Sequence, residues 1–231
     1  MKRIFVITLI TLFSMTLLVN AQTQLTPKEK TVTKFLGIPI DGTKREMVQK
    51  LINKGFEYNS EYDCLEGEFN GYDVNVHVVT NNNKVYRIMV EDAHTTNETN
   101  IKIRFNNLCK QFNDNDRYFS LSDYKIPDND DISYEMSVKN KRYEASFYQI
   151  NIPIDSTEII NDLQNYLHDK YGDGKSIENM TDTEKENILM EYFFHYLENF
   201  SVWFMIDEKY GKYRILMYYD NLYNQANGED L

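Results

Sequence analysis

Positive charge is scarce in this 231-residue chain, which has 25 Lys and Arg residues against 36 Asp and Glu residues and a net charge of −11. This excess of negative charge argues against nonspecific binding to nucleic acid or to anionic membranes, because both would repel the protein. Apolar residues are not scarce: 42% of the chain is hydrophobic, which is enough for a packed core and argues against global disorder.

Cysteine is also scarce, and the two residues present, Cys64 and Cys109, form no C-x-x-C motif of the redox or zinc-binding type. Cys64 is in phase with Glu66 and Glu68 on the polar side of a predicted strand. Cys109 lies on the apolar side of a predicted helix. Because helices normally pack on the apolar face of a sheet, we expect the two thiols to point to different places. Whether they pair stays open.

Sequence motifs of common enzymes are absent as well. The chain contains no H-E-x-x-H, no G-x-S-x-G, no Walker loop and no dinucleotide-binding glycine pattern. Carboxylates are so numerous that a glycosidase-type pair is neither supported nor excluded by counting. The sequence therefore predicts a protein that is not an enzyme and has no cofactor, with an unrecognised carboxylate site as the remaining enzymatic alternative.

No pattern of ligands predicts a metal site. Glu191 and His195 are one helical turn apart and could share an ion, but a histidine near a helix C-terminus also interacts favourably with the helix dipole. The acidic runs 114–116 and 128–131 lack the central glycine and terminal glutamate of a calcium-binding loop. We expect these runs, and His77 on the polar side of a predicted strand, to be solvated.

The one long apolar run lies at the start of the chain, where Lys2 and Arg3 precede apolar residues 4–19 and a small-residue site ends at Ala21. This pattern predicts a secretory signal peptide over residues 1–21. The run has roughly 16 residues, fewer than the roughly 20 needed to span a bilayer, and no cysteine follows for lipidation. We expect a periplasmic or extracellular chain with no integral membrane segment and, from 23 basic and 36 acidic residues, a net charge of −13.

Helix and strand signals follow each other through the rest of the chain. The capping box Thr43-Lys-Arg-Glu46 and Gly55 predict a helix over 43–54. Asn70-Gly71 predicts a tight hairpin, because both positions tolerate positive φ. Alternation predicts strands at 65–69, 72–78, 86–90, 118–121, 132–138, 143–147, 200–207 and 212–219, and helical spacing predicts helices at 97–112, 155–172 and 181–197.

This order of elements predicts an α+β fold in which helices pack on one face of an antiparallel sheet. Similar heptapeptides at 37–43 and 151–157 both precede a predicted helix, which leaves open whether the fold contains two tandem α/β units. The predicted organisation is a lead-in over 22–34, a first α/β unit over 35–113, a second unit with a helical insertion over 114–220, and an acidic tail over 221–231. We expect the tail to fray.

The final predicted hairpin is apolar on both faces. One phase contains Val202, Phe204, Ile206, Tyr213, Ile215 and Met217, and the other contains Trp203, Met205, Leu216 and Tyr218. Either both faces are buried, or helices cover the first phase and the second is an open aromatic patch. Tyrosine and tryptophan are enriched at interfaces, and an exposed apolar patch usually marks a binding site. We predict that Trp203, Met205, Leu216 and Tyr218 form a binding surface.

Two segments carry a resemblance to a known family. The first runs from Phe35-Leu-Gly-Ile-Pro-Ile-Asp-Gly-Thr43 through Lys54-Gly-Phe56 to Leu65-Glu-Gly-Glu-Phe-Asn-Gly-Tyr72 and a Val-rich strand, and the second is the hairpin 200–220. Over residues 35–92 and 199–220 the chain resembles secreted bacterial proteins whose fold is similar to beta-lactamase-inhibitor protein and the assembly factor BamE, while 114–198 departs from them. The resemblance implies a protein-binding sheet surface without catalysis, and it transfers no functional residues.

The sequence thus favours an exported, non-catalytic module that recognises an unidentified protein or peptide through an open aromatic sheet face. The alternative is an envelope protein that binds a glycan or another ligand, with the same aromatic side chains as stacking platforms. A broad shallow face favours a protein partner, a groove one sugar wide favours a glycan, and a deep pocket with converging carboxylates favours an enzyme. The partner, the side of the envelope and the oligomeric state stay open.

Overall fold

A computed structural model describes residues 31–149, 156–172 and 180–226. The predicted signal peptide, most of the second heptapeptide and the end of the predicted tail lie outside these residues. By its contacts the chain divides into two compact units. The sheet unit comprises residues 31–151 and 197–231, and the helical unit includes residues 152–196. This division differs from the predicted boundary between residues 113 and 114.

Within the described residues, the strands are β1 (Lys34–Phe35), β2 (Ile38–Pro39), β3 (Glu57–Asn59), β4 (Cys64–Phe69), β5 (Tyr72–Asn81), β6 (Lys84–Asp92), β7 (Tyr118–Phe119), β8 (Glu144–Gln149), β9 (Ser201–Lys209) and β10 (Lys212–Asp220). The helices are α1 (Lys44–Ile52), α2 (Glu98–Asp114), α3 (Ile132–Ser137), α4 (Ser156–Tyr171) and α5 (Asp182–Glu198), and a 3₁₀ turn spans Leu222–Asn224. The helical unit contains α4 and most of α5. The predicted α+β class is confirmed.

Eight strands form one antiparallel sheet in the order β3-β4-β5-β6-β10-β9-β8-β7, and β1 and β2 form a separate two-stranded ribbon. The sheet has two blocks of four strands, β3–β6 and β7–β10. The blocks meet where β6 pairs with β10, from Glu91 opposite Leu216 to Arg87 opposite Asp220. Because of this pairing the sheet continues across the predicted boundary at residue 113.

Local sequence signals explain where several elements begin and turn. The Thr43 side chain accepts a hydrogen bond from the Glu46 amide at the start of α1, and the Glu46 carboxylate accepts one from the Thr43 amide at 2.9 Å. This is the predicted capping box. Asn70 and Gly71, between β4 and β5, have φ angles of 55° and 78°, so the predicted hairpin turn is confirmed.

One face of the sheet is buried beneath α1, α2 and α3. Inward side chains of the strands form a single apolar cluster with residues of all three helices, such as Leu51, Phe105 and Ile132. In its centre the Phe105 ring packs edge-on against Phe204 at 5.1 Å between centroids, and Phe147 stacks on Phe204 at 5.9 Å. The prediction that helices pack on one face of the sheet is confirmed for α1 and α2, and α3 joins them there.

A buried ion pair lies where α2 crosses the seam between β6 and β10. Arg104 on α2 donates to Asp92 at the end of β6, with Nη2 and Oδ1 3.0 Å apart, and both side chains are less than a tenth exposed. Asp92 also accepts from the Ile215 amide of β10 at 3.3 Å. The guanidinium carbon of Arg104 lies 3.5 Å from the centroid of the Tyr72 ring. One carboxylate therefore connects a helix and both strands of the seam.

The predicted strand over 132–138 is wrong, because these residues form α3. The Asp131 side chain accepts a hydrogen bond from the Tyr134 amide and caps the helix. Ile132 is buried, but Tyr134 and Val138 are 50% and 60% exposed, so the alternation does not mark one buried face. The expected partner strand, β8, pairs with β7 on one edge and β9 on the other. No edge of β8 is left for a further strand.

The start of the predicted tail is held in place rather than frayed. Asn221 is 1% exposed, and its side-chain amide donates to the Ile40 carbonyl at 2.7 Å. Asn224 donates to the Asp41 carboxylate and to the Val85 carbonyl, each at 2.8 Å. The polarity of these residues predicts that they are solvated. Instead, their side-chain amides donate hydrogen bonds to oxygen atoms on distant segments of the chain.

Both cysteines are free and buried, but in different places. Cys109 on α2 belongs to the apolar cluster, and burial raises the pKa of its thiol to about 12. Cys64 at the start of β4 is not part of that cluster, and its pKa is also raised by burial. The expectation that the two thiols point to different places is confirmed.

Phe105→Ala should lower the free energy of unfolding by about 3–5 kcal/mol, because it leaves a cavity next to Phe204 in the packed core. Ile103→Ala on the same helix is the matched control, since Ile103 is 54% exposed. This control should change stability by no more than about 0.5 kcal/mol. Urea denaturation measures both, and equal effects would contradict the assignment of the buried face of α2.

Candidate binding face

The second face of the sheet is the one opposite α1, α2 and α3. A row of side chains crosses its centre, one from each of five adjacent strands. Strand register places His77, Met89, Tyr218, Trp203 and Ser146 side by side in that order. All five are half-buried, whereas the side chains that alternate with them along the strands are in the core.

The structure brings the four predicted site residues together on this face. Trp203 lies directly opposite Tyr218, and Met205 directly opposite Leu216, in the pairing of β9 with β10. The Trp203 and Tyr218 rings stack with their centroids 4.1 Å apart and their planes at 21°. All four side chains are half-buried and the opposite phase is buried, so the predicted separation of the two phases is confirmed. Their role in binding stays a prediction.

An ion pair that no sequence pattern indicated holds this aromatic pair. Arg87 on β6 and Asp220 on β10 are register partners, and their side chains form two hydrogen bonds of 2.6 and 2.9 Å. Asp220 also accepts from the indole Nε1 of Trp203 at 3.0 Å. The Arg87 guanidinium lies 4.9 Å from the centroid of the Tyr218 ring. The hydrogen bond with Asp220 raises the pKa of Arg87 further, so the cation is permanent.

A β-bulge explains why the predicted inward phase of β6 is partly wrong. Alternation predicts Tyr86 on the inner face with Ile88 and Val90, but Tyr86 is only half-buried. The register between β5 and β6 shifts at Val79 and Thr80, so that Thr80 pairs with Val85 and Val79 with Arg87. A bulge adds an unpaired residue to one strand and interrupts its alternation.

A second ion-pair cluster lies beside the aromatic pair. Arg214 on β10 donates from Nε to the Asp207 carboxylate at 2.9 Å and also pairs with Glu91 on β6. Arg214 and Arg87 are thus each matched by at least one carboxylate. Because these arginines are paired with carboxylates, the second face does not form a cationic patch. It offers apolar and aromatic surface between neutralised charges.

His77 departs from the predicted solvated state. Its Nε2 is buried and makes no hydrogen bond to any described residue, although a Glu91 carboxylate oxygen lies 3.5 Å away. Burial lowers the pKa of His77, and the nearby Asp63 carboxylate opposes this only in part. The imidazole is therefore neutral over most of the physiological pH range. The sequence could not predict this, because His77 alternates with valines on the polar side of its strand and such a position is normally solvated.

The candidate ligands for metal ions have other roles. Glu191 pairs with Lys170 within the helical unit. In the acidic run 128–131, Asp130 accepts from Lys141 at 3.1 Å and Asp131 caps α3, so this run is not simply solvated. In the part of the chain that the structure describes, no three His, Cys, Asp or Glu side chains are grouped to hold a metal ion, and no helix is long and apolar enough to cross a membrane.

Comparisons of the chain with protein-family models, curated proteins and solved structures gave no match. Function is therefore inferred from the described side chains themselves. The second face has the breadth of several strands, a stacked aromatic pair at its centre and ion pairs on either side. Such a surface can bury apolar area against a partner without leaving an unpaired charge beneath it.

The emission of Trp203, the only tryptophan in the chain, should be quenched by acrylamide in the free protein. Tyr218→Ala should increase this quenching, because it removes the ring stacked 4.1 Å from the indole. Tyr210→Ala is the control, since Tyr210 is 91% exposed at the turn after β9. A blue-shifted emission that acrylamide does not quench would show Trp203 to be in the core.

His77 should make the protein less stable in mild acid. Its pKa in the folded state lies below the ordinary 6.5, so the unfolded chain binds the proton more readily. The free energy of unfolding therefore falls as the pH drops below about 6.5 towards the folded-state pKa. Urea denaturation across this range should give a steeper fall for the wild type than for His77→Gln. Parallel curves would show that the folded state does not disfavour the charged imidazole.

Proposed function

We propose that this protein is exported and acts as a non-catalytic binding module that recognises another protein or a peptide through its second face. The observation that carries this proposal is the half-buried Trp203–Tyr218 stack, flanked by Met205 and Leu216, at the centre of that face. Aromatic residues and methionine are enriched at protein interfaces, where a central aromatic cluster commonly supplies most of the binding energy.

The contacts around the stack support recognition by a preformed surface. Trp203 is held by its hydrogen bond to Asp220 and by the ring of Tyr218, and Asp220 is itself held by Arg87. Side chains that are already ordered lose less conformational entropy when a partner binds. The stack can therefore act as a rigid anchor for a partner. The flexible side chains of Met205 and Leu216 beside it can adapt to the partner's shape.

Charge narrows the class of partner. The arginines of the second face are paired with carboxylates, and the chain carries a net charge of −11. A strongly acidic partner would be repelled and would find no free arginine among those described on this face. The favoured partner presents an apolar or aromatic anchor surrounded by neutral or basic residues.

A glycan is the second candidate ligand, and the geometry of the rings favours a protein over it. A sugar stacks on an open aromatic face. One face of Tyr218 is taken by Trp203, and the Arg87 guanidinium lies 4.9 Å from the same ring. The resemblance to secreted proteins with a protein-binding sheet and the predicted signal peptide agree with an exported protein-binding module.

The test is recovery of a specific protein from the cell envelope of the source organism on the immobilised chain. Trp203→Ala should weaken binding of that protein, once purified, by at least about 2 kcal/mol, or roughly 30-fold. Because Trp203 is only half-buried, the same change should lower the free energy of unfolding by about 1–2 kcal/mol, less than for a core aromatic. Calorimetric titration and urea denaturation give the two values.

Tyr210→Ala and Leu216→Gln complete the design. Tyr210 is 91% exposed in the turn between β9 and β10, outside both strands, so this variant should bind as the wild type does. Leu216 takes no part in the hydrogen bonds around Trp203, so Leu216→Gln should weaken binding with little loss of stability. Equal binding by all variants would refute the proposal, and Trp203-dependent binding of envelope polysaccharide instead of protein would establish the glycan alternative.

A further inference from the structure

A pocket of about 260 Å³ lies in the sheet unit beside the β1–β2 ribbon. This ribbon pocket is lined in part by Lys34, Phe69, Arg117, Tyr118, Gln149 and Tyr219. Tyr219 follows Tyr218 on β10, and successive side chains of a strand point to opposite faces. The ribbon pocket is thus on the other side of the sheet from the second face, and it is independent of the proposed function.

The charge of the ribbon pocket is opposite to that of the chain. The described residues that line it include Lys34 and Arg117 and no aspartate or glutamate, although the chain carries 36 acidic residues. Neither cationic side chain forms an ion pair or a hydrogen bond with any residue that the structure describes. Both are exposed. The pocket therefore offers two uncompensated positive charges in an acidic protein.

The polar floor of the pocket is built from buried groups. Gln149 is 8% exposed, and its side-chain amide is fixed against Lys34 of β1, accepting from the backbone amide at 2.9 Å and donating to the backbone carbonyl at 2.6 Å. The same amide donates to the Tyr118 hydroxyl at 3.1 Å. This network ties the ribbon to β7 and β8 and keeps the pocket in shape without a ligand.

The Tyr118 hydroxyl has a proton to offer. Tyr219 is fully buried, and burial together with its hydrogen bond to Tyr118 raises its pKa well above the ordinary value. Tyr219 therefore keeps its proton at neutral pH. The Tyr118 oxygen accepts from Gln149, and a hydroxyl that accepts one hydrogen bond still carries a proton that it can donate to an acceptor in the pocket.

We propose that the ribbon pocket binds a small organic anion, a carboxylate carried on an aromatic or apolar body. Lys34, Arg117 and the Tyr118 hydroxyl are the three groups that would meet the carboxylate, and the Phe69 ring supplies apolar surface for the body. Charge-assisted hydrogen bonds to a carboxylate are the strong ones in proteins. Amines and amino acids are disfavoured, because the lining residues that the structure describes offer no carboxylate to an ammonium group.

Benzoate is the probe, and benzylamine and benzyl alcohol are its cationic and neutral counterparts. Benzoate is added to the ¹⁵N-labelled chain up to about 10 mM ligand, and the shifts of the amide signals are followed. This range of concentrations would detect a Kd near 1 mM. We expect benzoate to shift the amide signals of Lys34, Tyr118 and Gln149 and to leave those of Trp203 and Met205 unchanged. Benzylamine and benzyl alcohol should produce no saturable shifts at these positions.

Variants test whether the three groups hold the anion. Arg117→Gln, Lys34→Gln and Tyr118→Phe should each weaken benzoate binding by at least about tenfold, the loss expected for one hydrogen bond to a charged group. Lys212→Gln, at an exposed lysine of β10 outside the pocket, should bind as the wild type does. The proposal is overturned if benzoate does not bind, if benzylamine binds equally well, or if Arg117→Gln and Lys212→Gln have the same Kd.

Discussion

The pairing of β6 with β10 is the constraint on which the rest of the structure depends. It joins two blocks of four strands whose paired members are far apart in the chain, Arg87 and Asp220 being separated by 133 positions. On the core side, Asp92 connects Arg104 and the Ile215 amide. On the second face, Arg87 and Asp220 form the matching ion pair. Asp92 and Asp220 are both buried, and a buried carboxylate that loses its cationic partner is strongly destabilising. The two ion pairs therefore favour the one register of the seam in which each carboxylate meets its arginine.

The same seam builds the candidate binding face. Tyr218 and Asp220 come from β10 and Trp203 from β9, within one block, whereas Arg87 comes from β6 in the other. The ion pair that holds the stack therefore exists only when the two blocks are joined. The contacts that hold the strands together also orient the rings. Folding of the sheet therefore prepares the surface before any partner arrives, which lowers the entropic cost of binding.

Local features of the fold were predictable from the sequence because local chemistry determines them. The Thr43 capping box, the Asn70-Gly71 turn and the alternation in the last hairpin depend on neighbouring residues, and all three were confirmed. The placement of Trp203 and Tyr218 on one face follows from period two, so most of the candidate site was predictable as well.

One feature that the sequence analysis missed is local, and the others depend on long-range contacts. Asp131 is a capping residue whose signal for α3 was outweighed by the four alternating apolar residues after it. The bulge that turns Tyr86 out of the core depends on the register between β5 and β6. The pairing of Arg87 with Asp220 depends on strand order, which no local pattern encodes, and the burial of His77 depends on its cross-strand neighbours.

Accessibility of the second face is the central claim, and methionine oxidation tests it most directly. Met205 and Met89 lie on the second face and are half-buried, whereas Met217, on the strand between them, points into the core and is 2% exposed. Mild treatment of the folded chain with hydrogen peroxide, followed by peptide mass spectrometry, should give sulfoxide at Met205 and Met89 well before Met217. Equal protection of all three methionines would show that both faces of the sheet are covered and would contradict the account.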